Sequence, residues 1–173
     1  MRKSCLAAAF LVITASGCNV LDNVAKPPFS AQGVFDGSWT ARVGNPERDI
    51  ECVVQLILAQ DVAASLPNRY RVDGTIKLNF TCTSVLEAYP EAELPAAVSI
   101  NVVGFMLPDG RLLMGAVQQE DSGNIVFGLD AQGEDRTGQG FMTGLSGSFT
   151  VAANQADVPT VGFAGSLDAV HLE

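Results

Sequence analysis

Few residues in this chain have the chemistry of a catalyst. There are four cysteines, at positions 5, 18, 52 and 82, and one histidine, His171, close to the carboxyl end. A serine or cysteine nucleophile needs a neighbouring base, and a histidine so near a terminus sits where chains commonly fray. Ser146 stands in Gly144-Leu145-Ser146-Gly147, which lacks the Gly-x-Ser-x-Gly pattern and the strand-to-helix elbow that goes with it. The carboxylate pairs Glu120-Asp121 and Glu134-Asp135 are of the right type for acid/base work, but adjacent acids between strands read as solvated loops. Residues 130–135 (DAQGED) lack the alternating ligands and sixth-position glycine of a calcium loop. With no CxxC and no second histidine to complete a zinc set, the expectation is a protein that is not an enzyme, with no metal and no cofactor. Charge excludes a further class. Ten basic against 19 acidic residues give a net charge of −9 and a pI near 4.4. Phosphate backbones are bound by clustered Lys and Arg, so nucleic acid is not an expected partner.

The amino terminus carries an export signal. Arg2 and Lys3 precede an uncharged run over residues 5–14 (CLAAAFLVIT), too short for a membrane-spanning helix of about twenty residues. Small residues Ala15, Ser16 and Gly17 then lead into Cys18. This segment resembles the lipobox of bacterial lipoproteins. The resemblance implies removal of residues 1–17 and acylation of Cys18 by a diacylglycerol and an N-acyl chain. It also implies residence on the periplasmic side of the outer membrane, because Asn19 replaces the Asp that favours inner-membrane retention. Two or three acyl chains anchor stably where one does not. Losing Arg2 and Lys3 leaves a more acidic domain, repelled by an anionic bilayer surface. Residues 18–34 read as the lipidated cysteine and a tether in which Pro27 and Pro28 prevent regular helix.

Cys52 and Cys82 then remain, in an oxidising compartment, and are expected to pair. In residues 69–82 (RYRVDGTIKLNFTC), Tyr70, Val72, Ile76, Leu78, Phe80 and Cys82 fall on one face and polar residues on the other. In residues 50–59, Cys52, Val54, Leu56 and Leu58 share a face in the same way, so both thiols point into one core.

This alternation continues through the chain. Strands are expected over 35–43, 50–59, 69–82, 97–107, 111–119, 124–130, 138–152 and 160–171, with one short helical turn near 86–88. Pro108-Asp109-Gly110 and Asp121-Ser122-Gly123-Asn124 are hairpin turns, and no gap is long enough for parallel crossovers. The fold class is therefore all-β: about eight antiparallel strands in a meander over residues 35–173, closed as an up-and-down barrel, with a two-sheet β-sandwich as the alternative. A membrane-spanning barrel would show the same alternation turned inside out. Aromatics at 7% without girdles, and a carboxyl terminus His171-Leu172-Glu173, argue against it.

Gly37-Ser38-Trp39 at the start of the first strand resembles the Gly-x-Trp of lipocalins, in which Trp closes one end of an eight-stranded barrel. It is also similar to the opening of small periplasmic barrels that inhibit bacterial metalloproteases. The resemblance implies a ligand or barrel-end contact at Trp39, and Tyr70 and Phe80, among the inward-facing aromatics, are further candidates for such a contact. The glycines of residues 138–149, with Gly138, Gly140 and Gly144 on one face of a strand, serve barrel bending or present a flat surface to a partner. Tyr70, Phe80, Phe105, Met114, Phe127, Phe141, Phe149 and Phe163 are the inward candidates, large enough to fill a small barrel. The expected function is a lipid-anchored, non-enzymatic binding module of the envelope acting through a protein partner. The alternatives are a carrier of a small apolar ligand and a periplasmic protease inhibitor.

Overall fold

An alternating apolar and polar strand has one face to bury, and eight of them in sequence can bury all their apolar faces by closing on themselves. The computed structural model describes residues 26–43, 48–88, 96–120, 123–155 and 158–172; Cys18, the export segment and the Asp121-Ser122 turn lie outside them. The strands are β1 (Gly33–Val43), β2 (Arg48–Leu66), β3 (Arg69–Asn79), β4 (Ala97–Met106), β5 (Arg111–Glu120), β6 (Gly123–Glu134), β7 (Gly144–Gln155) and β8 (Val158–His171), with one helix, α1 (Thr83–Ala88), between β3 and β4. All neighbours are antiparallel, and β1 pairs with β8 from Phe35↔His171 to Ala41↔Gly165, closing the barrel. This is the meander barrel expected from the sequence, not the sandwich.

The inward face is apolar. Phe35, Trp39, Val54, Leu56, Tyr70, Val72, Ile76, Ile100, Met106, Leu112, Phe127, Leu145 and Phe149 are all buried. The outer wall carries Asp36, Glu51, Arg71, Asp73, Lys77, Arg111, Asp130 and Asp168, none of them buried. That arrangement is the reverse of a lipid-facing barrel, whose outer band must be apolar.

Several boundaries differ from expectation, each for a local reason. β2 runs on to Leu66 although its inside/outside alternation stops at Leu58. The Asp61 carboxylate accepts the N–H groups of Ala63 and Ala64 at a register shift, and Asn68 turns the hairpin at φ 60°. β3 ends early because the Asn79 carboxamide accepts both the N–H and the hydroxyl of Thr81, a local bond that competes with the ladder. The Cys82 carbonyl then accepts from Val85 and Leu86 to start α1. β7 begins at Gly144 and not at 138. Residues 135–143 form a loop instead, with Gly138 at φ 69° and Gly140 at φ 84°. At the other tight turn, Gly110 N–H bonds the Leu107 carbonyl and sits at φ 85°, as the Pro-Asp-Gly signal required.

The two ends of the barrel differ. At the floor, residues 26–32 lie across the mouth as a strap: Ser30 bridges Phe141, Ala31 is fully buried, and the Tyr70 hydroxyl donates to the Lys26 carbonyl at 3.1 Å. From Lys26 onward, then, the segment expected as tether is packed against the barrel. At the opposite end, α1 sits against β2, with Val85 in the core and Ser84 bonded to the Glu51 backbone.

Candidate functional site

Large aromatic side chains meet inside the barrel. Trp39 is fully buried and meets Phe80 edge-on at 5.5 Å and Phe149 at 6.0 Å, while Phe149 stacks on Phe127 at 6.1 Å. These are favourable aromatic geometries. The indole Nε1 donates to the Asn79 carbonyl at 3.2 Å, which satisfies the one polar atom that burial would penalise. Trp39 and Phe80 therefore come together at the α1 end. Tyr70 lies at the floor, its hydroxyl on the strap, at the opposite end from the Trp39 and Phe80 pair.

Of the inward candidates, Tyr70, Met114, Phe127 and Phe149 are buried in the barrel and Phe80 packs partly buried against the core. Phe105 is a correction. It lies on the outer face, half-buried, opposite Arg71 and Leu113, because Val102, Gly104 and Met106 occupy the inner positions of β4. The alternation of Val98, Ile100 and Val102 with Ser99 and Asn101 sets the even-numbered positions inward, which puts Phe105 outside. Phe141 is also not a strand residue; it bridges Ser30 in the floor loop and its ring lies 5.8 Å from that of His171. The Phe163 backbone pairs with Val151; its side chain lies outside the described residues.

The disulfide joins Cys52 of β2 to Cys82, with a Cα separation of 5.4 Å. It pins the residues before α1 to the barrel wall. His171 is packed edge-on against Phe35 at 5.2 Å, above Gly33. Among the described residues no three His, Cys, Asp or Glu side chains converge.

Gly138 and Gly140 are exposed in the floor loop, whereas Gly144 is a buried residue of β7; they share no flat face. The loop is organised by Asp135. Its carboxylate accepts the Thr137 N–H and hydroxyl and the Gly138 N–H on Oδ1, and the Gly140 N–H on Oδ2. Desolvation opposes its charge, but these bonds from Gly140, Thr137 and Gly138 win and hold the carboxyl below its ordinary range. On the outer wall, the Arg111 guanidinium bonds Asp130 and lowers its carboxyl in the same direction.

Gly37 explains the Gly-Ser-Trp run. A Cβ there would stand 1.9 Å from the Asp168 carbonyl oxygen and 2.5 Å from the Ala169 Cα. The motif thus combines closure of the β1–β8 joint with a core indole one inward position further on. No protein-family model, curated protein or solved structure matches the chain.

One feature has no counterpart in the sequence pattern. β4 and β5 pair only from Val103↔Gly115 to Met106↔Leu112. Beyond that, among the described residues, β4 pairs with β3 alone up to Ala97 and residues 116–120 pair with β6 alone. The barrel is unzipped along this seam at the end opposite the strap.

Proposed function

We propose that the protein is a lipid-anchored, non-enzymatic interaction module on the periplasmic side of the bacterial outer membrane, working through a protein partner. The observation that carries the choice of partner is the aromatic cluster inside the barrel. The Phe80, Trp39, Phe149 and Phe127 side chains take up interior space that a carrier would need for its ligand, which favours recognition on the outside of the barrel. The anchor rests on Ala15-Ser16-Gly17-Cys18 and on two or more acyl chains being enough for stable attachment. With the strap packed from Lys26, the residues between it and Cys18 can span at most roughly 27 Å.

The test is a pull-down of the lipidated protein from solubilised envelopes, paired with mass spectrometry of the organic extract. The expected result is a stoichiometric protein and no stoichiometric free lipid. A stoichiometric lipid without a protein would overturn the reading in favour of a carrier. Mass spectrometry of the mature amino terminus should find an acylated Cys18; an unmodified terminus elsewhere would remove the anchor.

A further inference from the structure

The unzipped seam has a defined hydrogen-bonding pattern. Leu107 N–H donates to the Arg111 carbonyl at 2.8 Å, so these two form a hydrogen-bonded pair. Along an antiparallel ladder such pairs alternate with non-bonded ones. The backbone groups of Phe105, Val103, Asn101 and Ser99 therefore face β5, and those of Leu113, Gly115, Val117 and Gln119 face β4. The pairs at Phe105↔Leu113 and Val103↔Gly115 are made. Asn101, Ser99, Val117 and Gln119 turn the same groups toward each other without a ladder between them. Rows of unmet N–H and C=O groups at the strand repeat are what an extended backbone satisfies, and they template strand addition.

The side chains flanking the seam set what such a strand must look like. Val98, Ile100 and Val102 point inward, with Ala116 packed partly buried against the core across from them. Ser99 and Asn101 point outward, the latter accepting a bond from Thr75. A strand that pairs here places every second side chain against an apolar wall and the others in water. Its length matches residues 97–102, roughly 20 Å. The net charge of −9 disfavours a second copy and favours a neutral or basic segment.

We propose that the β4–β5 seam receives an extended, alternately apolar and polar segment of the protein partner, which adds as a strand to the edge at Ser99 and Asn101. This rests on the partner reading above and names how that partner is held.

The experiment is residue-resolved hydrogen exchange on the full lipidated chain in detergent. The probes are ten-residue, positively charged peptides of alternating Val or Ile with Thr or Lys, and the controls are the same peptides N-methylated at every second amide. The unmethylated peptides are expected to slow exchange at Ser99, Asn101, Val117 and Gln119 by about tenfold or more, and the methylated ones are not. The variant Asn101→Cys with Val117→Cys, oxidised to a disulfide, zips the seam; it should protect these amides without peptide and lose the envelope protein recovered by the wild type. No slowing by any peptide overturns the proposal. So does full protection in the dilute protein alone, where the chain closes its own seam, or protection that grows with protein concentration, where the occupant is a second copy. A zipped variant that still recovers the envelope protein overturns the seam while leaving the partner reading standing. Slowing by peptide with no envelope protein recovered by the wild type overturns the partner reading and keeps the seam.

Discussion

Substituting Gly37→Ala isolates the physics of barrel closure. The added Cβ would lie 1.9 Å from the Asp168 carbonyl oxygen and 2.5 Å from the Ala169 Cα, both backbone atoms of the facing strand. Contacts shorter than about 3 Å cannot be kept, so β1 must retreat from β8 by about 1 Å where Gly37 pairs with Ala169. Overpacking of this kind costs about 1–3 kcal/mol, and stretching one or two ladder bonds adds about 1 kcal/mol each. A total near 3 kcal/mol corresponds to a Tm lower by about 10 °C for a domain of this size. Gly115→Ala is the matched control. Its Cβ would meet nothing closer than the Phe127 carbonyl at 3.5 Å, and the lost freedom of the unfolded chain should stabilise by about 0.4–1 kcal/mol. Urea unfolding followed by fluorescence reads both, since Trp39 is the one tryptophan and is fully buried. If Gly37→Ala and Gly115→Ala unfold at the same urea concentration, the close approach at the β1–β8 joint does not limit closure and the account of the Gly-Ser-Trp run is wrong.

Three further outcomes are expected. Cys52→Ser with Cys82→Ser should lower stability by about 3.6 kcal/mol on the chain-entropy argument for a loop of this length, read as a lower urea midpoint; an unchanged midpoint refutes a stabilising bridge. Tyr70→Phe removes the hydroxyl that donates to the Lys26 carbonyl and should cost about 1 kcal/mol, with faster amide exchange at Ala31 and unchanged exchange in β6. Acidification should loosen the floor loop first. The Asp135 carboxyl is depressed below its ordinary value of 3.8, so its contribution is complete above that value and is lost as pH falls through the lower, folded-state value. Exchange at Gly138 and Gly140 should accelerate there, once corrected for intrinsic rates, and Asp135→Ala should show the fast rate at every pH.

The period-two pattern made the architecture legible because it reports which face of a strand is buried. Tyr70, Val72, Ile76 and Leu78 in β3, and Cys52, Val54, Leu56 and Leu58 in β2, fall inside as the alternation requires. It failed where that rule was broken locally. Phe105 is an apolar residue on an outward position that the alternation of β4 leaves to polar ones, and residues 138–143 read as strand although Asp135 draws their N–H groups into a loop. The pattern is silent about neighbours. Nothing in Ser99 or Asn101 as residues tells that they pair with β3 and not with β5, because pairing is decided by the course of the next strand and not by the side chains of this one. The same holds for the strap: two prolines and a phenylalanine look like spacer until a floor is present for Phe29 and Ala31 to cover.

The strap also decides how the molecule bears load. Tension on the chain before Lys26 reaches the barrel through Tyr70 on β3, through Gln60 of β2, whose side chain holds the Ala31 N–H, and through the Ser30 bonds to Gly140 and Met142 in the loop before β7. The pull is thus shared among three separate stretches of wall before it can act on β1, whose joint with β8 closes the barrel. A pull from that side would otherwise open the barrel like a zip from its first strand; here it meets a crossbar first.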